Sequence, residues 1–232
     1  MTVSLHNDLS GQVALVSGAT RGIGYEIARG LAASGATVFA GARTPSYLSD
    51  SELLPIKLDV TDTETIKAAI TRITEMDGVL DILVNNAGIA GPRKPLHMNA
   101  IDTIDETFAV NLRGPTLLTR AAIPLLSTCA GSRITNVSSG MGAVGEGMSG
   151  RYPAYRVSKT GLNGVTAYLH EEYRIDGVLA NSACPGWVRT DLGSPDAPKS
   201  PKEGADTPVW LAHFTAESPS GLFWRDREQI DW

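Results

Sequence analysis

A tyrosine and a lysine four residues apart, Tyr155 and Lys159, are the side chains whose types and spacing most directly suggest chemistry. On a helix, residues i and i+4 lie on the same face, so the phenol and the ammonium would be neighbours. A phenol has an ordinary pKa of about 10, and a nearby cation lowers that pKa because it favours the phenolate. Such a pair could donate a proton to a carbonyl oxygen or remove one from an alcohol. An isolated pair of this kind is also common on helix surfaces by chance.

Tyr152 is a second candidate for the same chemistry, because it lies seven residues before Lys159 and thus on roughly the same helix face. Pro153 argues against it. Proline favours the first helical position, which would leave Tyr152 at or before the N-terminal cap. We therefore assign the proton transfer to Tyr155 and expect Tyr152 to line the pocket or to pack.

A glycine-rich stretch, SGATRGIG at residues 17–24, follows a short apolar run. Gly18 would allow a sharp exit from a strand. Gly22 and Gly24 would let backbone amides at a helix N-terminus approach a phosphate, which the helix dipole favours. The spacing differs from the G-x-G-x-x-G dinucleotide fingerprint, although the strand–turn–helix context is the same. Alone, this turn is weak evidence for a nucleotide site.

Apolar strands that alternate with amphipathic helices must position these side chains. The strands are predicted within 12–18, 37–42, 54–60, 79–88, 132–140, 177–186 and near 221–224, and the helices within 22–36, 63–76, 104–126 and 153–173. Strands that are nearly all apolar indicate a parallel sheet covered on both faces. We predict an α/β fold, a doubly wound Rossmann-type parallel sheet with helices on both faces, as a single domain over residues 1–232. Such sheets bind ligands at the carboxyl ends of their strands.

Two segments break the alternation. Residues 140–151 are rich in glycine and methionine, and residues 193–208 are rich in proline and small polar side chains. Both are predicted to be irregular loops that follow strands on the ligand side, and long loops in a compact domain often form lids or pocket walls. Met141, Met148 and Trp187 are candidates for an apolar pocket lining.

The composition excludes several classes of function. The 232 residues carry a formal charge of -5 and no basic run, so we expect no nucleic-acid or anionic-membrane partner. Apolar stretches are too short for a membrane span, and the start lacks the features of a secretory signal. With only two cysteines, a cytoplasmic location is the better expectation. The four histidines are scattered without ligand spacing, so no metal site is expected, and Cys184 is predicted to be a buried small apolar residue.

Six elements in order resemble the short-chain dehydrogenase/reductases, in their compact single-domain branch. They are the glycine turn at 17–24, NNAG at 85–88, Asn111 in VNLRG, NVSS at 136–139, YRVSK at 155–159 and CPGWVRTD at 184–191. The resemblance runs from about residue 10 to about residue 192. One departure is Ser17, where the family usually has threonine, and the hydroxyl is retained.

The resemblance implies roles for individual residues. Ser139 would hydrogen-bond the substrate oxygen, whereas Ser138 would point away. Tyr155 would be the proton donor and Lys159 would lower its pKa. Asn111 would hold a water that links the lysine to solvent. The residues implied to bind the cofactor are Gly18, Thr20, Arg21, Gly22, Ile23, Gly24, Arg43, Asp59, Val60, Asn86, Ala87, Gly88, Tyr155, Lys159, Pro185, Gly186, Val188 and Thr190.

The end of the second strand selects between two cofactors. NAD-binding members of the family carry an acidic residue there, and this chain has Ala42 followed by Arg43. A carboxylate would repel a 2′-phosphate, whereas a guanidinium pairs with it. Arg21 can approach the same phosphate. NADP(H) is therefore the expected cofactor.

The expected activity is the reversible NADPH-dependent reduction of a ketone or aldehyde, with the hydride from the nicotinamide and the proton from Tyr155. A non-catalytic NADP-binding sensor is the alternative, although the chain retains all four catalytic residues. An enone reductase would need Tyr152 in place of Tyr155. An epimerase or dehydratase of the extended branch would need a longer substrate domain.

Gly161 and Gly164 each disfavour a helix interior by about 1 kcal/mol. Together with Ala167 they suggest that another helix packs closely there. In relatives this face builds an oligomer, so we expect a homodimer or homotetramer.

Overall fold

A computed structural model describes residues 2–232 as one eight-stranded sheet with helices on both faces, which confirms the predicted α/β fold class. The strands are β1 Val13–Ser17, β2 Thr37–Ala42, β3 Leu54–Lys57, β4 Ile82–Asn85, β5 Arg133–Val137, β6 Leu179–Cys184, β7 Phe223–Arg225 and β8 Glu228–Ile230. The helices are α1 Gly22–Ala33, α2 Thr63–Met76, α3 Ile101–Phe108, α4 Gly114–Leu126, α5 Pro153–Tyr173 and α6 Pro201–Ala212.

The sheet has the strand order β3-β2-β1-β4-β5-β6-β7-β8, with every pair parallel except the final β7–β8 hairpin. The order reverses between β1 and β4. At such a switch point, the loops that follow the two strands diverge and leave a crevice for a ligand.

Alternate side chains of the central strands enter different cores. On β1, Val13 and Leu15 pack with α2, α4 and α5, whereas Ala14 and Val16 pack with α1 and α6. This period of two is the geometry of an extended chain buried on both sides. It explains why the strands read as continuous apolar runs in the sequence.

Two helices match their predicted bounds. α2 spans residues 63–76 and begins at Asp62, whose side chain accepts a hydrogen bond from the Glu64 amide at 2.9 Å. α5 spans residues 153–173 with Pro153 in its first turn. A capping side chain marks the start of α2, and a proline in the first turn marks the start of α5.

The prediction that residues 193–208 form an irregular loop is wrong in its second half, because α6 begins at Pro201. The Ser200 side chain accepts from the Glu203 amide at 3.2 Å, and the Glu203 carboxylate accepts from the Ser200 amide at 2.7 Å. This capping box stabilises the helix start despite the high proline content of the segment. β8 was also not predicted from the sequence. The predicted loop at 140–151 contains two short 3-10 turns, Gly140–Gly142 and Val144–Glu146.

Among the helices of residues 2–232, none is both long enough and apolar enough to cross a bilayer.

Candidate active site

The carboxyl ends of β1 and β4 are tied together beside the glycine-rich turn. Ser17 Oγ accepts hydrogen bonds from the amides of Asn86 at 3.0 Å and Ala87 at 3.2 Å. The Asn86 side-chain amide donates to the carbonyl oxygens of Ser17 at 3.0 Å and Gly18 at 3.2 Å. The hydroxyl of Ser17 thus has a structural role, and a serine suffices for it.

The glycines of the turn are required by space and by backbone conformation. Gly18 and Gly22 have φ angles of +69° and +58°, which side-chain-bearing residues rarely adopt. A Cβ on Gly24 would collide with the side chain of Asn86 and the carbonyl oxygen of Gly18. Because the turn is so close to Asn86, only glycine fits there.

The start of α1 suits a phosphate. Arg21 is the N-cap residue and makes no side-chain capping hydrogen bond, and the first turn contains no acidic residue. The amides of an uncapped first turn point out of the helix with unsatisfied donors, and the helix dipole favours an anion there. The predicted residues Gly18, Thr20, Gly22, Ile23 and Gly24 all lie in this turn, which fits a dinucleotide pyrophosphate.

The region beyond β2 carries the features expected for a 2′-phosphate. Ala42 is buried at the end of β2, and Arg43 is exposed directly after it. Asp59 accepts hydrogen bonds from the Thr61 amide at 2.9 Å and the Thr61 hydroxyl at 2.7 Å. Partial burial raises the pKa of Asp59, but these hydrogen bonds and the charge of Arg43 outweigh it, so the net pKa is lowered.

Two other predicted cofactor residues have partners within the protein. Arg21 forms an ion pair with Asp191 at 3.0 Å, and both side chains are largely exposed. Val60 is buried against Gly114 at the start of α4, where a Cβ would lie 2.9 Å from the Cβ of Val60.

Residues 185–190 approach the glycine turn from the other side of the crevice. Val188 is buried and forms a parallel bridge with Lys199. A Cβ placed on Gly22 would lie 3.3 Å from Thr190 Cγ2, so this segment contacts the turn. Pro185 and Gly186 are partly buried, and Gly186 has a φ of +79°. The structure therefore brings both predicted cofactor segments together.

Asn111 lies in a π-helical turn, Ala109–Arg113, between α3 and α4, and is fully buried. Its side-chain amide donates to the Ile89 carbonyl at 2.8 Å and to Ser158 Oγ at 3.0 Å, and its Oδ1 accepts from the Ile89 amide at 2.9 Å. An inserted residue of this kind interrupts the regular helix and often marks a functional site. Asn111 joins this turn to the chain beyond β4 and to α5.

Gly88 lies where Asn111 and Lys159 meet. A Cβ on Gly88 would be 3.4 Å from Asn111 Oδ1 and 3.6 Å from Lys159 Nζ. The asparagine, the glycine and the lysine come from three separate segments. Their proximity places the predicted relay asparagine next to the predicted lysine.

Ser139 is near enough to Tyr155 for its hydroxyl to act on the phenol, whose pKa it tends to lower. Ser139 follows β5 and accepts from the Met141 amide at 3.2 Å, whereas Ser138 is buried and donates to the Lys159 carbonyl at 3.3 Å. Ser138 thus bonds the backbone of α5, whereas Ser139 is half-buried and lies near the Tyr155 side chain.

Burial governs the ionisation of both α5 residues. It raises the pKa of Tyr155 to about 12, against which the nearby Ser139 hydroxyl acts in the lowering direction. Burial lowers the pKa of Lys159 to about 8. Desolvation disfavours the charged form of each group, so the shifts are opposite in sign.

The net pKa shift of Tyr155 in this chain by itself is therefore upward, opposite to the lowering expected from Lys159. Lys159 Nζ donates to the Val137 carbonyl at 2.7 Å and lies 5.8 Å from the centroid of the Tyr155 ring. The ammonium thus contacts the ring and a backbone carbonyl, and desolvation of the phenol dominates.

Tyr152 does not share the α5 face with Lys159. It precedes the helix in a left-handed conformation, with φ +56° and ψ +50°. Tyr152 therefore lies at the N-cap, before Pro153, as expected from the preference of proline for the first helical position. Of the predicted lining residues, Met148 and Trp187 are exposed, and Met141 is partly buried.

A buried network of polar side chains behind these residues was not predicted from the sequence. Asn85 donates to Thr119 Oγ1 at 3.0 Å and to Asn136 Oδ1 at 2.8 Å, and Asn136 donates to Thr166 Oγ1 at 2.8 Å. Thr166 in turn pairs with Ser182 Oγ at 2.8 Å. These bonds fix β4, β5, β6 and two helices relative to one another. Asparagines within NNAG and NVSS were the available signal.

Cys184 also makes contacts that were not predicted from the sequence. It is buried, as expected, but its Sγ accepts hydrogen bonds from the Gly140 amide at 3.1 Å and from Arg225 Nε at 3.4 Å. It therefore joins the chain after Ser139 to β7. No group of three or more metal-ligating side chains occurs among residues 2–232.

Comparisons with known proteins identify the family. The profile of the family described as short chain dehydrogenase matches residues 12–200. The chain therefore belongs to the short chain dehydrogenase family, a class of Rossmann-type oxidoreductases.

Individual relatives cover almost the whole chain. Carbonyl reductase (NADPH) 1 of Sus scrofa is 32% identical over 278 aligned positions, which cover 95% of this chain and 94% of that protein. The (+)-neomenthol dehydrogenase of Arabidopsis thaliana is also 32% identical, with 94% of this chain and 96% of that protein covered.

Solved structures of similar proteins have the same fold. The NADPH-bound carbonyl reductase from chicken fatty liver has a TM-score of 0.86 at 28% identity and covers 97% of this chain and 100% of that one. A short chain dehydrogenase from Burkholderia cenocepacia in complex with NADP has a TM-score of 0.84 at 29% identity and covers 97% and 98%.

Proposed function

We propose that this protein is an NADPH-dependent carbonyl reductase that converts a ketone or aldehyde to the corresponding alcohol. The observation that carries the proposal is the meeting of Ser139, Tyr155 and Lys159 at the carboxyl edge of the sheet, next to an uncapped helix N-terminus. The named activities of the similar carbonyl reductases support the same reaction.

The cofactor is NADP(H). The crevice fits a dinucleotide, because the glycine turn and residues 185–190 meet at the start of α1, whose first turn is uncapped and contains no acidic residue. Arg43, which follows Ala42, would bind the 2′-phosphate, and Arg21 would contribute after release from Asp191. Similar proteins of known structure hold NADPH or NADP.

When bound, NADPH supplies the hydride. Tyr155 would donate the proton to the substrate oxygen, and its raised pKa keeps the phenol protonated at neutral pH. Ser139, whose hydroxyl lies near Tyr155, would hold the same oxygen. Lys159 and Asn111 would return a proton to Tyr155 from solvent, since they meet at Gly88.

The experiment that tests this function measures NADPH and NADH oxidation with a panel of ketones, aldehydes, diketones and activated enones. We expect carbonyl turnover with NADPH, and a Tyr155→Phe variant should lose about 10²- to 10⁴-fold in kcat, the usual contribution of a general acid. Binding of NADPH to this variant, followed by fluorescence, should be unchanged.

Two results would contradict the proposal. NADPH binding without turnover of any compound would favour the sensor alternative. Reduction of enones alone, with full activity in Tyr155→Phe, would transfer the proton donor to Tyr152. A Tyr152→Phe variant is the matched control and should keep its kcat.

The apolar groove between α4 and α5 supports assembly into a homodimer or homotetramer. It encloses about 640 Å³ and includes Gly161 and Gly164 in its lining. A Cβ on Gly161 would lie 2.9 Å from the end of the Leu112 side chain, so Gly161 packs within the chain itself, whereas Gly164 faces open space. Sedimentation equilibrium should give a dimer or tetramer, and a Gly164→Arg variant should give a monomer.

A further inference from the structure

Three consecutive charged residues at the tip of the β7–β8 hairpin each form an ion pair with a different segment. Arg225 pairs with Glu146, Asp226 with Lys199, and Arg227 with Asp206 on α6. Asp226 and Arg227 occupy left-handed conformations, with φ angles of +54° and +62°. This two-residue turn directs the three side chains towards three different partners.

The first of these pairs lies directly against the backbone that follows Ser139. Arg225 donates to Glu146 through both terminal nitrogens, at 2.8 Å and 2.7 Å. A Cβ on Gly140 would collide with Arg225 Nη2 and would lie 3.1 Å from Glu146 Oε2. The ion pair therefore covers Gly140, the residue next to the catalytic serine.

The same backbone is also held through Cys184, at the end of β6, and through Trp232, which follows β8. Arg225 Nε and the Gly140 amide both donate to Cys184 Sγ, at 3.4 Å and 3.1 Å. The Gly145 amide donates to the Trp232 carbonyl at 2.8 Å, and the Trp232 ring stacks on Phe223 with centroids 5.7 Å apart. Residues 140–146 are thus fastened to the hairpin at both ends.

We infer that the Arg225–Glu146 ion pair positions residues 140–146, and through them the hydroxyl of Ser139, opposite Tyr155. Arg225 and Glu146 are positioning residues and do not take part in proton transfer. The inference rests on the proposed function for its catalytic consequence. A bidentate arginine–carboxylate pair fixes orientation as well as distance, which suits a backbone segment rich in glycine.

The hairpin supplies its own matched control. Arg227 and Asp206 form a bidentate pair of the same kind, at 2.8 Å and 2.5 Å, and this pair attaches the hairpin to α6. Arg225→Lys and Glu146→Gln would be compared with Arg227→Lys and Asp206→Asn. Each substitution keeps the approximate size of the side chain and removes the two-fold hydrogen bonding.

We expect Arg225→Lys and Glu146→Gln to lower kcat by about tenfold or more, since small displacements of a catalytic group are costly, with the NADPH Kd unchanged. The Arg227→Lys and Asp206→Asn controls should keep kcat. Equal losses of kcat in all four variants, accompanied by equal decreases in Tm, would show that the Arg225–Glu146 pair only stabilises the hairpin. That result would overturn the inference. Full kcat in all four would also overturn it.

Hydrogen exchange of the cofactor-free protein tests the positioning without any need for a substrate. Glu146→Gln should accelerate exchange of the amides at 140–147, whereas Asp206→Asn should not. Unchanged protection in Glu146→Gln would contradict the inference even if the protein is an active reductase. Conversely, full activity in Tyr155→Phe would remove the proposed function while the exchange result still decides the positioning.

Discussion

The two ends of the site lie at the same edge of the sheet and are built on opposite physical principles. The phosphate end, residues 17–24 with Arg43, consists of backbone amides, glycines and exposed arginines. The chemical end, Asn111, Ser139, Tyr155 and Lys159, consists of side chains, of which Ser139 alone is only partly buried. The phosphate end depends on the space that glycine leaves free, whereas the chemical end depends on the exclusion of water.

This difference explains where ionisation is perturbed. The pKa values of Tyr155 and Lys159 are shifted in opposite directions by burial, to about 12 and about 8. An anion at the phosphate end is instead balanced by charges and donors near solvent, which salt screens. A substitution should therefore act through shape at one end and through desolvation at the other.

The largest effect that would test this comparison is expected for Gly24→Ala. The added methyl group would collide with the side chain of Asn86 and the Gly18 carbonyl, so the turn must shift. We expect the NADPH Kd to rise by about a hundredfold, equivalent to about 3 kcal/mol. Titration calorimetry would measure this, with Gly164→Ala, a helical position in open space, as the control. A normal Kd in Gly24→Ala would show that shape does not govern the phosphate end.

The desolvation of Lys159 should appear in the pH dependence of stability. Its pKa is about 8 in the folded chain against an ordinary 10.5, so between these values the unfolded chain binds more protons and stability rises with pH. We expect this group to add about 2 kcal/mol to the free energy of unfolding between pH 7 and pH 10. Below pH 8, the full destabilisation that results from burying the charged Lys159 ammonium is present.

Urea unfolding of the cofactor-free wild type and Lys159→Met at the two pH values isolates this contribution, because the other titrating groups are shared. The variant should lack the extra rise. If both proteins respond equally to pH, Lys159 is not desolvated and the contrast between the two ends disappears.

A smaller effect on NADPH binding is expected for Arg43→Ala. This variant tests whether charge contributes at the phosphate end. Loss of one exposed guanidinium should weaken NADPH binding by about tenfold, or about 1.4 kcal/mol, and leave NADH binding unchanged. The effect should decrease in high salt. Fluorescence titrations with both cofactors would measure it. Equal losses for NADPH and NADH would assign Arg43 to the adenosine or to protein stability.

Much of the fold followed from local pattern. The bounds of α2 and α5 were predicted because the signals are local: Asp62 caps α2, Pro153 opens α5, and apolar residues recur along each helix. α6 was missed because the proline-rich composition of 193–208 concealed the Ser200–Glu203 capping box. β8 is a three-residue edge strand, too short to show an alternation.

The candidate site divides in the same way. The glycine turn and the Tyr155–Lys159 pair are contiguous, so the order of residues already determines which groups are neighbours. The sequence by itself therefore determined the strand–helix alternation, the candidate phosphate-binding turn, the absence of an acidic residue directly after β2, and the candidate proton-donor pair.

Only the tertiary structure decided what lies next to that pair. The contacts of Gly88 with Asn111 and Lys159, the sulfur contact of Cys184 with Gly140, and the Arg225–Glu146 pair all join residues far apart in the chain. The structure also decided the sign of the Tyr155 pKa shift. Spacing along a helix reports which charges are near, but desolvation depends on every element that excludes water from a group, and that is a property of the packed fold.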